Sequence, residues 1–184
     1  MARQAPKLKT ERVLTKFDKA KKSIELIPKN DNQDFYIKSL RSSDQVVVFG
    51  PAGTGKTYVV ATEAASLYHT KGINRIVITR PHVAVGKELG FLKGDLTEKT
   101  MPWALPVLDV LEKHLGKGTV ETAIKNGNIE MAPLALMRGR SFDNSFIIVD
   151  EAQNVTHSQM ETVIGRLGKN AKMCICGDMA QIDL

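Results

Sequence analysis

Gly50, Pro51, Ala52, Gly53, Thr54, Gly55, Lys56 and Thr57 spell G-x-x-x-x-G-K-T between the apolar run Val46-Val47-Val48-Phe49 and a long helical pattern. A strand that enters a glycine-rich turn and leaves as a helix aims a row of backbone N–H groups and the positive end of the helix dipole at one point. A triphosphate fits there, with Lys56 reaching its β- and γ-phosphates and the Thr57 hydroxyl holding Mg²⁺. A second strand pattern, Phe146 to Val149, ends in Asp150-Glu151-Ala152-Gln153. Asp150 is the natural Mg²⁺ ligand, through water, and Glu151 the general base that orients and deprotonates an attacking water. Alone, this pair would read as a surface strand end; beside a phosphate loop it reads as the other half of a hydrolytic site.

Gly177-Asp178-Met179-Ala180-Gln181 follows the last apolar run in the same way. In a parallel sheet all strand C-termini open on one edge, so Gln181 faces the crevice of Lys56 and Asp150, where a neutral amide suits γ-phosphate sensing or water positioning. Gln33 lies 17 residues before Gly50. Its amide could pair with the N6 and N7 edge of adenine, selecting ATP, or serve only as the capping partner of Asn30. No N-K-x-D occurs and Asp150 does not open a D-x-x-G, which argues against a GTP switch protein. His69, His82, His114 and His157 lack metal-ligand spacing.

The elements that must position these groups follow from the periodicities. Strands are expected at 46–49, 75–79, 129–132, 145–149 and 172–176, each apolar on both faces, which means a parallel sheet of about five strands covered by helices on both sides. Helices are expected from Asn30 to about Arg41 and from about Gly55 to His69, with a stop at Gly72. Helical pieces near 96–115 are interrupted by Pro102 and Pro106. Thr156 with Gln159 forms a capping box, and Gly168 is the expected stop of that helix.

At 184 residues the chain fits one domain with its own core. The net charge of +6 belongs to residues 1–29, which hold nine basic side chains against three acidic ones, whereas residues 30–184 balance at 17 against 17. Within this basic arm Val13, Phe17, Ala20, Ile24 and Ile27 recur at helical spacing, predicting an amphipathic helix over 11–27 that Pro28 ends. The arm suits nucleic acid or an acidic surface, or simply solvation. No window approaches the roughly 18 unbroken apolar residues of a membrane span, there is no apolar signal core, and Cys174 and Cys176 sit in one apolar run as packing residues. A reducing cytoplasm is the expected compartment.

Gly50 to Thr57, Thr79-Arg80-Pro81, Leu89 to Asp95, Ala132 to Arg140 with its Met-Arg-Gly-Arg core, Asp150 to Asn154 and Gly177 to Asp183 together resemble the PhoH family. Its members are known as phosphate-starvation-inducible ATPases, are also carried by phages, and are similar to the first RecA-like domain of superfamily 1 helicases. The resemblance runs from about Pro28 to the last residue and implies a RecA-like P-loop ATPase domain over 30–184. It implies an adenine-reading Gln33, a γ-phosphate sensor at Gln181, and single-stranded nucleic-acid contact by Thr79, Arg80 and the loop after them. Helicases close their ATP site with an arginine from a second RecA-like domain. Here that arginine is expected from another subunit of a ring, such as a hexamer, with Arg140 and Arg138 as candidates, unless they make a structural ion pair. The family pattern normally continues past Gln181, so the chain is expected to be a natural short form or a fragment.

The leading expectation is therefore Mg²⁺-dependent ATP hydrolysis, helicase-like and coupled to single-stranded RNA or DNA in a homo-oligomer. An ATP-gated binding module with little turnover is the alternative. A P-loop kinase is disfavoured because no arginine-rich lid is evident.

Overall fold

Valine, isoleucine, phenylalanine and cysteine dominate five strands: β1 (Gln45–Phe49), β2 (Arg75–Thr79), β3 (Ile129–Met131), β4 (Ser145–Val149) and β5 (Lys172–Gly177). The computed structural model, which describes residues 24–81 and 96–182, joins them in one sheet in the order β1-β5-β4-β2-β3. Every neighbouring pair is parallel. β4 is buried along its whole length and β5 along nearly all of it, whereas β1, at an edge, alternates and leaves Val47 and Phe49 exposed. Full burial on both faces is what parallel strands under two helical layers require.

On one face Ile76, Ile78, Phe146, Ile148, Cys174 and Cys176 pack against α1 (Asp31–Ser42), α2 (Lys56–His69), α3 (Leu96–Leu115) and α4 (Lys117–Lys125). On the other, Val77, Ile147, Val149, Met173 and Ile175 lie beneath α5 (His157–Ile164) and two 3₁₀ turns, Leu134–Met137 and Ala152–Asn154. Each fully buried side chain of this size contributes roughly 1.5–3 kcal/mol. Cys174 and Cys176 are free thiols, with the Tyr36 hydroxyl 3.1 Å from the first sulfur and 3.7 Å from the second. Burial, then the neighbouring sulfurs, push the Tyr36 phenol far up. The Cys176 thiol is raised by its hydrogen bond with Cys174 and by burial, so this trio is packing rather than reactive chemistry.

Four expectations are corrected. α3 runs unbroken through Pro102 and Pro106. Its buried stripe Ala104, Val107, Leu108 and Leu111 follows the helical i, i+3, i+4, i+7 spacing and packs on the core, which outweighs the two missing backbone donors. α5 ends at Ile164, capped by Gly165, three residues before Gly168. Gly168 has a different role: a Cβ there would lie 2.6 Å from the Phe142 carbonyl oxygen, so only glycine permits this backbone approach. α4, after Gly116, was not anticipated.

The fourth correction concerns the arm. Most of the helix expected over 11–27 lies outside the described residues, but Ile24 to Ile27 form no helix. Ile24 and Leu26 pack on the core while Ile27 is 71% exposed, an alternation that belongs to extended chain. The Asn30 cap of α1 is present, its side chain accepting from the Gln33 N–H at 2.9 Å.

Candidate active site

Insertion of β5 and β4 between β1 and β2 decides where the chemistry gathers. It sets the C-terminal ends of four strands side by side: Gly50 after β1, Gly177 ending β5, Asp150 after β4 and Arg80 after β2. Backbone bonds lock these ends, Gly50 N–H to Gly177 O at 3.2 Å and Asp150 N–H to Thr79 O at 2.9 Å. Strands roughly 4.8 Å apart thus bring residues distant in sequence to one rim.

A cavity of about 340 Å³ opens on this rim, lined by Ala52, Gly53, Gly55, Lys56, Thr57, Asp150, Glu151 and Gln181 of the expected set, with Tyr58, Pro106, Gln153, Gly177 and Asp178. Gly53 and Gly55 have φ of 76° and 87°, left-handed values that free the loop to curl before α2 begins. A side chain at Gly55 would also press on Gln33, since its Cβ would stand 3.0 Å from the Gln33 Nε2. Lys56 Nζ arches back over the loop and donates to Gly50 O at 2.5 Å and Pro51 O at 2.8 Å.

Asp150 is held above the usual carboxylate range, chiefly by burial and then by the charge of Glu151, with Arg80 and Lys56 opposing. A buried carboxylate in this state favours a cation, and Thr57 opens onto the same cavity. The donor set suits Mg²⁺, which takes one or two protein oxygens and completes its shell with water and phosphate. Among the described residues no group of three or more His, Cys, Asp or Glu side chains could form an all-protein metal cage.

Glu151 adopts φ 53°, left-handed although it bears a side chain. One of its oxygens accepts from Gln153 Nε2 at 2.5 Å, and the other lies 3.8 Å from an Arg80 nitrogen. Gln153 is the residue that sequence reasoning missed. It is buried, its Nε2 also reaches Gln181 O at 3.1 Å, and its Oε1 accepts the Asp178 N–H at 2.9 Å. The only sequence signal was its place two residues after Glu151.

Gln33 borders a second cavity of about 440 Å³ on the other side of the phosphate loop, with Gly50, Pro51, Thr54 and Lys56. Its Nε2 donates to Thr54 O at 3.0 Å and its Oε1 accepts the Lys29 N–H at 2.9 Å, which leaves one N–H and one lone pair uncommitted. Thr79 is fully buried, and among the described residues its hydroxyl has no hydrogen-bond partner. It therefore presents no surface for the nucleic-acid contact expected there, unlike the part-exposed Arg80.

Arg140 makes the structural ion pair weighed as its alternative. It does not line the cavity but forks onto Glu130 of β3 with bonds of 2.6 and 2.8 Å, its guanidinium 4.5 Å from the centre of the Phe142 ring. That hydrogen bond holds its proton more tightly still. The neighbouring Arg138 is exposed.

A RecA-like parallel sheet with a phosphate loop after β1 and an acidic pair after β4 defines a P-loop NTPase. The chain belongs to the PhoH family, the family described as PhoH-like protein matching residues 25–184. It is 46% identical over 156 residues to the PhoH-like protein of Bacillus subtilis (strain 168), covering 85% of this chain and 49% of that protein. It is 41% identical over 161 residues to Protein PhoH of Escherichia coli (strain K12), covering 86% of this chain and 46% of that one. A PhoH-like protein of Synechocystis sp. is 43% identical over 156 residues, 85% of this chain and 48% of its own. The chain thus spans about half the length of the curated relatives it matches. Among the described residues no helix is long and apolar enough to cross a membrane.

Proposed function

We propose that the chain is an Mg²⁺-dependent ATPase that works as a homo-oligomer and couples hydrolysis to single-stranded RNA or DNA. The observation that carries this reading is the one cavity shared by Lys56, Thr57, Asp150, Glu151 and Gln181. ATP lies along Gly50 to Thr57 with its base toward Gln33, whose uncommitted N–H and lone pair match the two groups on the adenine edge. Thr57 and Asp150 would hold Mg²⁺, which would supply positive charge to neutralise the phosphates. Lys56 exchanges the neutral carbonyls of Gly50 and Pro51 for charged phosphate oxygens, a stronger set of acceptors. Glu151 takes the proton of the attacking water, and Gln181 senses the γ-phosphate.

Arg80, at the same rim and partly exposed, is the nucleic-acid contact we favour, helped by the basic side chains of residues 1–29. In this reading residues 30–184 are the ATPase domain and residues 1–29 an accessory arm. The arginine that closes the site comes from a neighbouring copy, and Arg138 suits that role because Arg140 is committed to Glu130. A reducing cytoplasm suits the two free, buried thiols.

Phosphate release by the purified chain, with and without a single-stranded oligonucleotide, tests the proposal beside Glu151→Gln and Asp150→Asn. Release that is stimulated by the oligonucleotide and abolished in both variants is expected. ATP binding without release under any condition would point instead to an ATP-gated binding module.

A further inference from the structure

Gln153 offers two N–H donors and an acceptor, and the geometry uses them on two different strand ends. It sits on the turn after β4, where its Nε2 meets the Glu151 carboxylate at 2.5 Å and the Gln181 carbonyl at 3.1 Å. Its Oε1 receives the backbone N–H of Asp178, the residue that follows β5, at 2.9 Å. The side chain is 8% exposed, so water does not compete freely for these partners. Glu151, by contrast, is held in a left-handed backbone conformation that a side-chain-bearing residue does not choose by itself. Something must fix both the torsions of that residue and the direction of its carboxylate, and the buried amide two residues on makes that contact.

We propose that Gln153 is a positioning residue that ties the general base to the γ-phosphate-sensing segment, so that Glu151 is aimed at water only when the Asp178 to Gln181 segment is in register. This rests on the reading of Glu151 as general base. Because one amide bonds both segments, a displacement of the sensing segment is passed to the carboxylate through a single rigid group. Gly177 allows the close approach: a Cβ there would stand 3.1 Å from the Gln153 backbone nitrogen. The proposal separates Gln153 from a merely structural bridge. A bridge would need only the bond to Asp178; a positioning residue needs the donor to Glu151.

The test uses the full 184-residue chain, Mg²⁺ and a single-stranded oligonucleotide. It measures ATP affinity with a fluorescent ATP analogue and residual rates by single-turnover hydrolysis of radiolabelled ATP. Gln153→Glu keeps an acceptor for the Asp178 N–H but, as a carboxylate, has no N–H to donate to Glu151, and Gln153→Leu loses both. Both variants are expected to hydrolyse ATP roughly 100-fold more slowly, the typical cost of misplacing a catalytic group, with ATP affinity unchanged. In a Glu151→Gln background the further change at position 153 is expected to cost almost nothing, because the group it aims is already gone. Equal losses in both backgrounds, a parallel fall in ATP affinity, or full activity in Gln153→Glu would overturn the inference while leaving Glu151 in place. If Glu151→Gln alone hydrolyses ATP like the unsubstituted chain, or if that chain shows no hydrolysis, the reading of the base falls and the role of Gln153 with it.

Discussion

Replacing Arg140 with alanine removes a side chain that sequence reasoning placed in catalysis and the structure places on the flank of the sheet. The guanidinium makes two charge-assisted bonds to Glu130, at 2.6 and 2.8 Å, with the two side chains 36% and 27% exposed. Fully exposed pairs contribute about 0–1 kcal/mol, whereas breaking fully buried ones costs about 3–5 kcal/mol. At this intermediate exposure, solvent screening brings the cost to about 1.5 kcal/mol. Loss of the stacking on Phe142 adds about 0.5 kcal/mol, near the lower limit for a cation over an aromatic face. A total of about 2 kcal/mol in a chain of this size lowers the melting temperature by about 4–8 °C. Thermal unfolding followed by circular dichroism, without nucleotide, measures it. Glu130→Gln is expected to show a similar loss, and the double variant less than the sum of the two. A melting temperature within one degree of the parent, together with a large fall in ATP hydrolysis, would refute the structural role and restore Arg140 as a catalytic arginine.

Three further outcomes are expected. Gly168→Ala forces a methyl group against the Phe142 carbonyl, 2.6 Å from where its Cβ must stand, and lowers stability by about 2 kcal/mol, read as a shifted denaturant midpoint with unchanged slope. His114 is held below its ordinary value of 6.5 by burial and by Lys113. Its contribution is therefore full above pH 6.5 and is lost as pH falls through the window below it, so His114→Gln flattens the pH dependence of the melting temperature on the acid side. Gln33→Ala weakens ATP binding while leaving GTP binding nearly unchanged; equal weakening of both in a competition titration would show that Gln33 serves only the loop.

Much of this molecule is legible from local pattern. Runs such as Phe146 to Val149 are apolar on both faces, so they announce buried parallel strands, and the residues that close them announce the site. Lys56 and Thr57 were read from the phosphate-loop motif, Asp150 and Glu151 from the end of an apolar strand, and Gln181 because a parallel sheet opens its strand ends on one edge. Strand order was not legible. Nothing in Val46 to Phe49 says that β5, more than 120 residues on, lies beside it. The role of Gln153 was hidden for the same reason, since its partners at Asp178 and Gln181 belong to a strand whose place is set by tertiary packing. Pro102 and Pro106 misled because backbone propensity is local, whereas the stripe Ala104, Val107, Leu108 and Leu111 derives its strength from what it packs on. The partner of Arg140 was not legible because Glu130 lies on β3, and a partner across the fold leaves no trace in the Met-Arg-Gly-Arg segment itself.

The pairing of β1 with β5 also bears on synthesis. Among the described residues the strand that carries the phosphate loop has one neighbour in the sheet, and that neighbour, β5, lies more than 120 residues further along the chain. During translation residues 45–57 leave the ribosome long before Lys172–Gly177, and until then β1 has no ladder to join. The loop acquires its anchoring bond from Gly50 to the Gly177 carbonyl only once β5 has docked. A nascent chain arrested before β5 therefore holds the whole G-x-x-x-x-G-K-T segment yet lacks the β5 ladder and the Gly50–Gly177 bond. Organisation of the loop after β1 thus waits on a contact of high sequence separation and the slow closure that such contacts impose.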